Sequence, residues 1–274
     1  MDFYKYHGTG NDFIILDCRG RVPFLSPREI EELCRRHTGI GADGIIFASD
    51  SSTGAEAEMR LFNADGSEAE MSGNGIRCLA KYLFEREGIS KEEMLIDTRA
   101  GAKAIKLEVA EGRVSNIEVD MGIPDFTGNA GETSILLDSG EELRAICLSM
   151  GNPHCVIFVN DVGAAEVERL GPLVETHSFF PARTNVEFAQ VASRERLLLR
   201  VWERGVGETD ACGTGSCAAF AAAINRGLAG KMMVIGLKGG ELKIKVDDYG
   251  HLHLAGPAVE VFAGELSRYW RGQE

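Results

Sequence analysis

Short runs of alternating or continuous apolar residues at 13–17, 44–48, 58–63, 103–110, 113–121 and 145–149 predict strands, as do those at 156–159, 185–191 and 197–202. The tail over 231–262 continues in the same pattern. Helices are fewer. Ser26-Pro27-Arg28-Glu29 is a capping box with proline at the first helical position and predicts a helix over 30–37. Segments 74–87 and 213–226 are apolar nearly all round, through Ile76, Cys78, Leu79, Tyr82 and Leu83 in one and Cys217 to Ile224 in the other. Such helices are buried inside sheets.

Each buried helix is entered through nearly the same phrase, Gly66-Ser-Glu-Ala-Glu-Met-Ser72-Gly-Asn-Gly75 in one half and Gly207-Glu-Thr-Asp-Ala-Cys212-Gly-Thr-Gly215 in the other. The chain therefore reads as two related halves. The expected class is α+β, with two pseudosymmetric domains, each a twisted mixed sheet wrapped around a central helix. The expected division is 1–121 and 122–264, joined near Met121-Gly-Ile-Pro124, with 265–274 returning to the first half.

A turn of small residues opening a helix presents backbone N–H groups and the positive end of the helix dipole to an anion. Gly73-Asn74 and Gly213-Thr214 form two such turns, and facing each other they would grip one carboxylate. Ser72 and Cys212, which lead the turns, would flank it from opposite sides. That arrangement suits chemistry needing one group on each face of a carbon.

The 274 residues carry 29 basic and 42 acidic side chains, a net charge of −13 that opposes capture of nucleic acid. The longest early apolar run, Phe13-Ile14-Ile15-Leu16, is too short for a signal-peptide core, and no stretch reaches membrane-spanning length. A cytoplasmic protein with no membrane partner is expected. Seven cysteines, at 18, 34, 78, 147, 155, 212 and 217, are scattered through apolar surroundings and read as reduced. Gly39-Ile-Gly-Ala-Asp-Gly44 has the spacing of a dinucleotide loop, but it follows a helix and precedes a strand, the reverse of the required order. It reads as a helix stop. No Cys-x-x-Cys or His-x-x-x-His pair suggests a metal site, and none is expected.

Cys212 stands at a helix N-terminus, where the dipole lowers a thiol pKa; the competing reading is a small apolar filler. Asn11, Asn63, Asn152 and Asn185 lie at strand ends or in loops, where asparagine is most often a turn residue. In Trp202-Glu203-Arg204-Gly205, Arg204 could bind a carboxylate bidentately, and Glu203 could take an ammonium group or orient a base; a surface ion pair is the plainer reading.

In order along the chain, Lys5-Tyr-His-Gly-Thr-Gly-Asn-Asp-Phe13, Gly39–Gly44, Asn63-Ala-Asp-Gly-Ser67, Gly73-Asn-Gly75 and Gly151-Asn-Pro-His154 resemble the diaminopimelate epimerases. So do Arg183-Thr-Asn-Val-Glu187, Trp202-Glu-Arg-Gly-Val-Gly-Glu-Thr209 and Ala211-Cys-Gly-Thr-Gly215. The resemblance implies a cofactor-free isomerase that interconverts L,L- and meso-diaminopimelate for lysine and peptidoglycan synthesis, with two domains closing over the substrate, and commonly a homodimer. It also implies Cys212 as a catalytic thiol with His154 and Glu203 near the reacting centre. Gly73, Asn74, Gly213 and Thr214 would hold the reacting α-carboxylate; Asn63, Asn152, Asn185 and Arg204 would hold the distal end, and Asn11 would line the site.

Where the family carries a second catalytic cysteine, directly before Gly-Asn-Gly, this chain has Ser72. A thiol of reference pKa about 8.5 can be brought near neutrality, whereas an alcohol lies far higher and is a poor base. Three explanations stand: an altered epimerase, a variant in which Ser72 works through a neighbour or water, or a sibling activity. Related cofactor-free folds include proline racemases, which use two cysteines, and hydroxyproline dehydratases, where loss of one thiol accompanies elimination. From another class, a catalytically silent binding protein could retain the amino-acid cleft.

Overall fold

Pro27 sets the first turn of a helix because its missing N–H is unneeded there, and Ser26 and Glu29 cap each other's backbone across that turn. The result is α1 (Pro27–Cys34) in the computed structural model, which describes residues 1–20, 25–126, 132–267 and 270. Two compact units emerge. The first is Met1–Val119 with the segment from Gly256 onward, and the second is Asp120–Ala255.

The first unit runs β1 (Asp2–Gly8), β2 (Asn11–Asp17), α1, β3 (Gly44–Ser49), β4 (Ala57–Asn63), β5 (Glu68–Ala69), α2 (Gly73–Glu85), β6 (Glu93–Asp97), β7 (Lys103–Ala110) and β8 (Arg113–Gly122). After β9 (Glu132–Leu136) the order repeats as β10 (Glu142–Ser149), β11 (Pro153–Phe158), α3 (Val167–Glu175), β12 (Asn185–Ser193), β13 (Arg196–Glu203), β14 (Gly207–Thr209), α4 (Gly213–Asn225), β15 (Met232–Leu237), β16 (Gly240–Val246) and β17 (Leu252–Gly256). Pairing repeats too: β2 lies parallel to β3 and β4 to β6, as β11 does to β12 and β13 to β15. Even the outer neighbour is matched, since β1 receives β18 (Val259–Glu265) antiparallel as β10 receives β9. The strand returning to the first unit thus begins before residue 265.

The repeat is exact enough to pair residues. Phe13 sits opposite Gly44 as His154 sits opposite Asn185, so Phe13 matches His154 and Ile46 matches Glu187. Leu61 sits opposite Ala69 as Val201 sits opposite Thr209, which makes Asn63 the counterpart of Glu203 and Ser72 that of Cys212. The central helices α2 and α4 are buried over nearly their whole length, including Cys78 and Cys217, the core residues expected from their apolar surroundings.

Several elements differ from the pattern's prediction. The first helix stops at Cys34 rather than residue 37, because the chain doubles back and the N–H groups of Gly41 and Ala42 take the carbonyls of Leu33 and Cys34. A Cβ on Gly39 would meet the Glu32 carbonyl at 2.2 Å, so the sharp reversal requires glycine. The other two helices end one or two residues early, at Glu85 and Asn225. Strand β1 went unread because Lys5 interrupts its apolar run; Lys5 is buried, ion-paired with Asp12 at 2.5 Å and bonded to the Gly41 carbonyl. Helix α3 lacks a side-chain cap and contains Gly171 and Pro172. Gly171 is there because a Cβ would stand 2.5 Å from the Trp202 ring. No helix among the described residues is long and apolar enough to cross a membrane.

Candidate active site

In the second unit, extended backbone at Cys212 turns into α4, and its sulfur accepts a hydrogen bond from the Gly215 N–H at 3.4 Å. Thr214 Oγ1 lies 3.5 Å from the same sulfur. Beneath this turn β11 and β12 place His154 and Glu187, both without side-chain exposure, with Nδ1 and Oε1 2.7 Å apart. A Cβ on Gly215 would stand 2.8 Å from that Oε1, so only glycine lets the carboxylate come so close under the helix start. The other ring nitrogen, Nε2, is 2.9 Å from Asn152 Oδ1, an acceptor, and therefore carries hydrogen.

At the end of β13, Glu203 Oε1 accepts from Thr209 Oγ1 at 2.5 Å, and the carboxylate also receives a hydrogen bond from the Cys212 thiol. Burial raises the Glu203 pKa, opposed by these two bonds; burial likewise raises Glu187, opposed by His154. Burial, and then the charges of Glu203 and Glu187, push the Cys212 thiol well above its ordinary range. The direction is opposite to the lowering that a helix dipole alone gives a thiol. Burial, reinforced by two nearby carboxylates, outweighs a half-charge at a helix end. Cys212 is held as a thiol, with Glu203 placed to take its proton.

Asn185 is buried and braces the strand ends: its Nδ2 donates to the Pro153 carbonyl at 2.9 Å, and its Oδ1 accepts the Arg204 N–H at 3.0 Å. The exposed Arg204 guanidinium donates to the Ala182 carbonyl at 3.2 Å and forms no ion pair with Glu203 among the described residues.

In the first unit Ser72 caps α2, accepting from the Gly75 N–H at 3.1 Å. Behind it the counterparts of the His154–Glu187 pair are apolar: Ile46 Cδ1 and the Phe13 ring would stand 3.1 and 3.5 Å from a Cβ on Gly75. Asn74 is held by Arg77, whose guanidinium donates to its Oδ1 at 2.8 Å and to the Gly73 carbonyl at 2.9 Å. Asn74 Nδ2 in turn donates to Asn11 Oδ1 at 3.2 Å, and Asn11 Nδ2 to Asp43 at 2.8 Å. Asn63 closes its turn by donating to Ser67 Oγ at 3.0 Å.

In the second unit Asn152, His154, Glu187, Glu203 and Cys212 are linked near the start of α4, and in the first Asn11 and Asn74 are linked at the start of α2, whereas Asn63 closes its own turn and Arg204 bonds to Ala182. Glu187, Thr209, Arg77 and Asp43 escaped the reading from sequence. A glutamate inside the apolar run of β12 and an arginine inside the apolar run of α2 were the available signals, since a buried charge needs a partner. Among the described residues, no cluster of His, Cys, Asp and Glu is placed to hold a metal ion.

The charge balance at Cys212 gives a direct expectation. Glu203→Gln removes a neighbouring negative charge, so the thiol pKa falls, the thiolate fraction at neutral pH rises by about tenfold for each unit of fall, and alkylation of Cys212 by iodoacetamide accelerates by a smaller factor because a less basic thiolate is less nucleophilic. Peptide mapping reads the rate. Slower labelling in the variant would show that the carboxylate does not hold the thiol protonated.

A family profile described as diaminopimelate epimerase matches residues 3–127 and 146–261. A diaminopimelate epimerase from Pelotomaculum thermopropionicum is 47% identical over 276 residues, covering 97% of this chain and 98% of the relative. One from Moorella thermoacetica is 47% identical over 279 residues, covering 97% and 99%. Among solved structures, a hydroxyproline epimerase from Agrobacterium vitis superposes with a TM-score of 0.75 at 16% identity, covering 96% of this chain and 91% of that one. A phenazine biosynthesis protein from Bacillus anthracis gives 0.71 at 20% identity, covering 97% and 99%. At such identities the two solved structures share the fold alone.

Proposed function

The chain belongs to the diaminopimelate epimerase family, and from that premise we propose that it interconverts L,L- and meso-diaminopimelate by proton transfer at the α-carbon, without a cofactor. The observation that carries this reading is the repeated helix start, one in each unit, each led by a residue able to hold a proton. Backbone N–H groups and helix dipoles at Gly73-Asn74 and Gly213-Thr214 would stabilise charge as it spreads from the α-carbon into the substrate carboxylate. No electron sink is needed if that stabilisation is built in.

On one face Cys212 delivers its proton, or passes it to Glu203 before acting as base. His154, clamped between Glu187 and Asn152, fixes the Glu187 carboxylate that lies under the start of α4. Ser72 would serve the other face, and within its own unit Phe13 and Ile46 occupy the places where a relay would need to be. The reaction draws one group from each face, and this chain supplies one strong and one weak. Asn63, Asn152, Asn185 and Arg204 would receive the distal amino-acid end, with Asn11 lining the site. A homodimer acting in the cytoplasm on this small molecule, with no nucleic acid or membrane partner, completes the proposal. The net charge of −13 supports its last part.

The test is incubation of the purified protein with L,L-diaminopimelate, followed by chiral separation. Slow appearance of the meso form is expected. Proline or hydroxyproline being turned over while diaminopimelate is left unchanged would overturn the reading in favour of a sibling activity.

A further inference from the structure

Strands β10 and β11 form a tight antiparallel hairpin in which Cys147 sits directly opposite Cys155. Residues facing each other in such a ladder alternate between pairs that exchange two backbone hydrogen bonds and closer pairs that exchange none. Pro153 has no N–H, so the Ser149–Pro153 couple cannot be of the exchanging kind. Counting inward by two, Cys147–Cys155 is also a close pair, with Cα atoms about 4.5 Å apart in ideal geometry. That lies within the span of about 4.4 to 6.8 Å that a disulfide accepts. Both cysteines are free.

We propose that Cys147 and Cys155 form a reversible disulfide driven by hydroperoxides, a modification site separate from the Cys212 centre. Cys147 is partly exposed at the margin of the apolar cluster under α3, while Cys155 is fully buried in it, so an oxidant meets Cys147 first. Hydrogen bonding with Cys155 lowers the Cys147 thiol from its ordinary range, opposed by burial. Burial pushes Cys34 and Cys78 up to about 12, and Cys212 is pushed well above the ordinary range, so these competitors are protonated.

The chemistry balances in two steps. The Cys147 sulfur attacks the outer oxygen of a hydroperoxide; the O–O bond breaks, an alcohol or water leaves, and Cys147 becomes a sulfenic acid. The Cys155 sulfur then attacks the Cys147 sulfur, the S–O bond breaks, and hydroxide leaves with the Cys155 proton as water. Two thiols have lost two electrons and two protons, and the hydroperoxide has been reduced. Because Cys155 directly follows His154, the cross-link fastens the strand that carries the Glu187 and Asn152 contacts of that histidine.

The folded full-length protein is treated with hydrogen peroxide, quenched with N-ethylmaleimide and mapped without reduction. Peptides containing Cys147 and Cys155 should appear joined, lighter by about 2 Da than the free pair, and separate again with dithiothreitol. Cys147→Ala, which trims a partly buried side chain at the edge of the core, should abolish the link and leave Cys155 as a thiol. Sulfinic acid at Cys147 beside an unmodified Cys155, or a first disulfide that includes Cys212, would overturn the proposal. The readout is mass alone, so it stands or falls independently of the reaction assigned to the Cys212 centre.

Discussion

Ser72→Cys is expected to raise epimerase turnover by about 10²-fold or more, the range that a positioned acid–base group contributes. Ser72 already has the geometry of a group at a helix start, with extended backbone and its side chain turned onto the Gly75 N–H, as Cys212 turns onto that of Gly215. What it lacks is acidity, because an alcohol at this position stays protonated when a base is required. The gain carries a structural cost. Serine is among the best N-cap residues, so replacing it weakens the start of α2 by up to about 1 kcal/mol. A faster but slightly less stable enzyme is therefore the expected pair of results, read by turnover and thermal unfolding. An unchanged rate in a folded variant would count against the two-thiol requirement.

A substrate analogue carrying a halide on the β-carbon should divide the two faces. Cys212, through Glu203, removes the α-proton from the stereoisomer that presents it on that side, and loss of the halide then needs no acid on the opposite face. One stereoisomer of the analogue is expected to eliminate at least about 10²-fold faster than the other. It should also outrun epimerisation of diaminopimelate, since elimination escapes the slow reprotonation at Ser72. Comparable elimination from both isomers would show that Ser72 has an effective base behind it, against the placement of Phe13 and Ile46.

The two-half plan was legible because the helix-start phrase is local: glycine and a small polar cap are needed wherever a chain turns tightly into a buried helix. Buried helices α2 and α4 followed from residues apolar all round, and their packing needed no long-range information. Strand β1 and helix α3 were not legible for the opposite reason. Lys5 is acceptable inside only because Asp12 and the Gly41 carbonyl meet it from distant points of the chain, and Gly171 is acceptable in a helix only because Trp202 fills its place. At the site, residue identities were readable and their charge balance was not. A helix dipole can be inferred from sequence, but the approach of Glu203 and Glu187 to Cys212 is set by register between β12, β13 and α4.

The central claim is that one face of the α-carbon has a competent proton-transfer group and the other does not. Incubation with L,L- and with meso-diaminopimelate in D₂O, following deuterium at the α-carbon and configuration in the same samples, tests it most directly. Deuterium should enter one stereoisomer with its configuration retained, well ahead of inversion, because Cys212 returns the exchanged hydrogen to the face from which it came. Exchange that never outpaces inversion from either starting isomer would contradict the account.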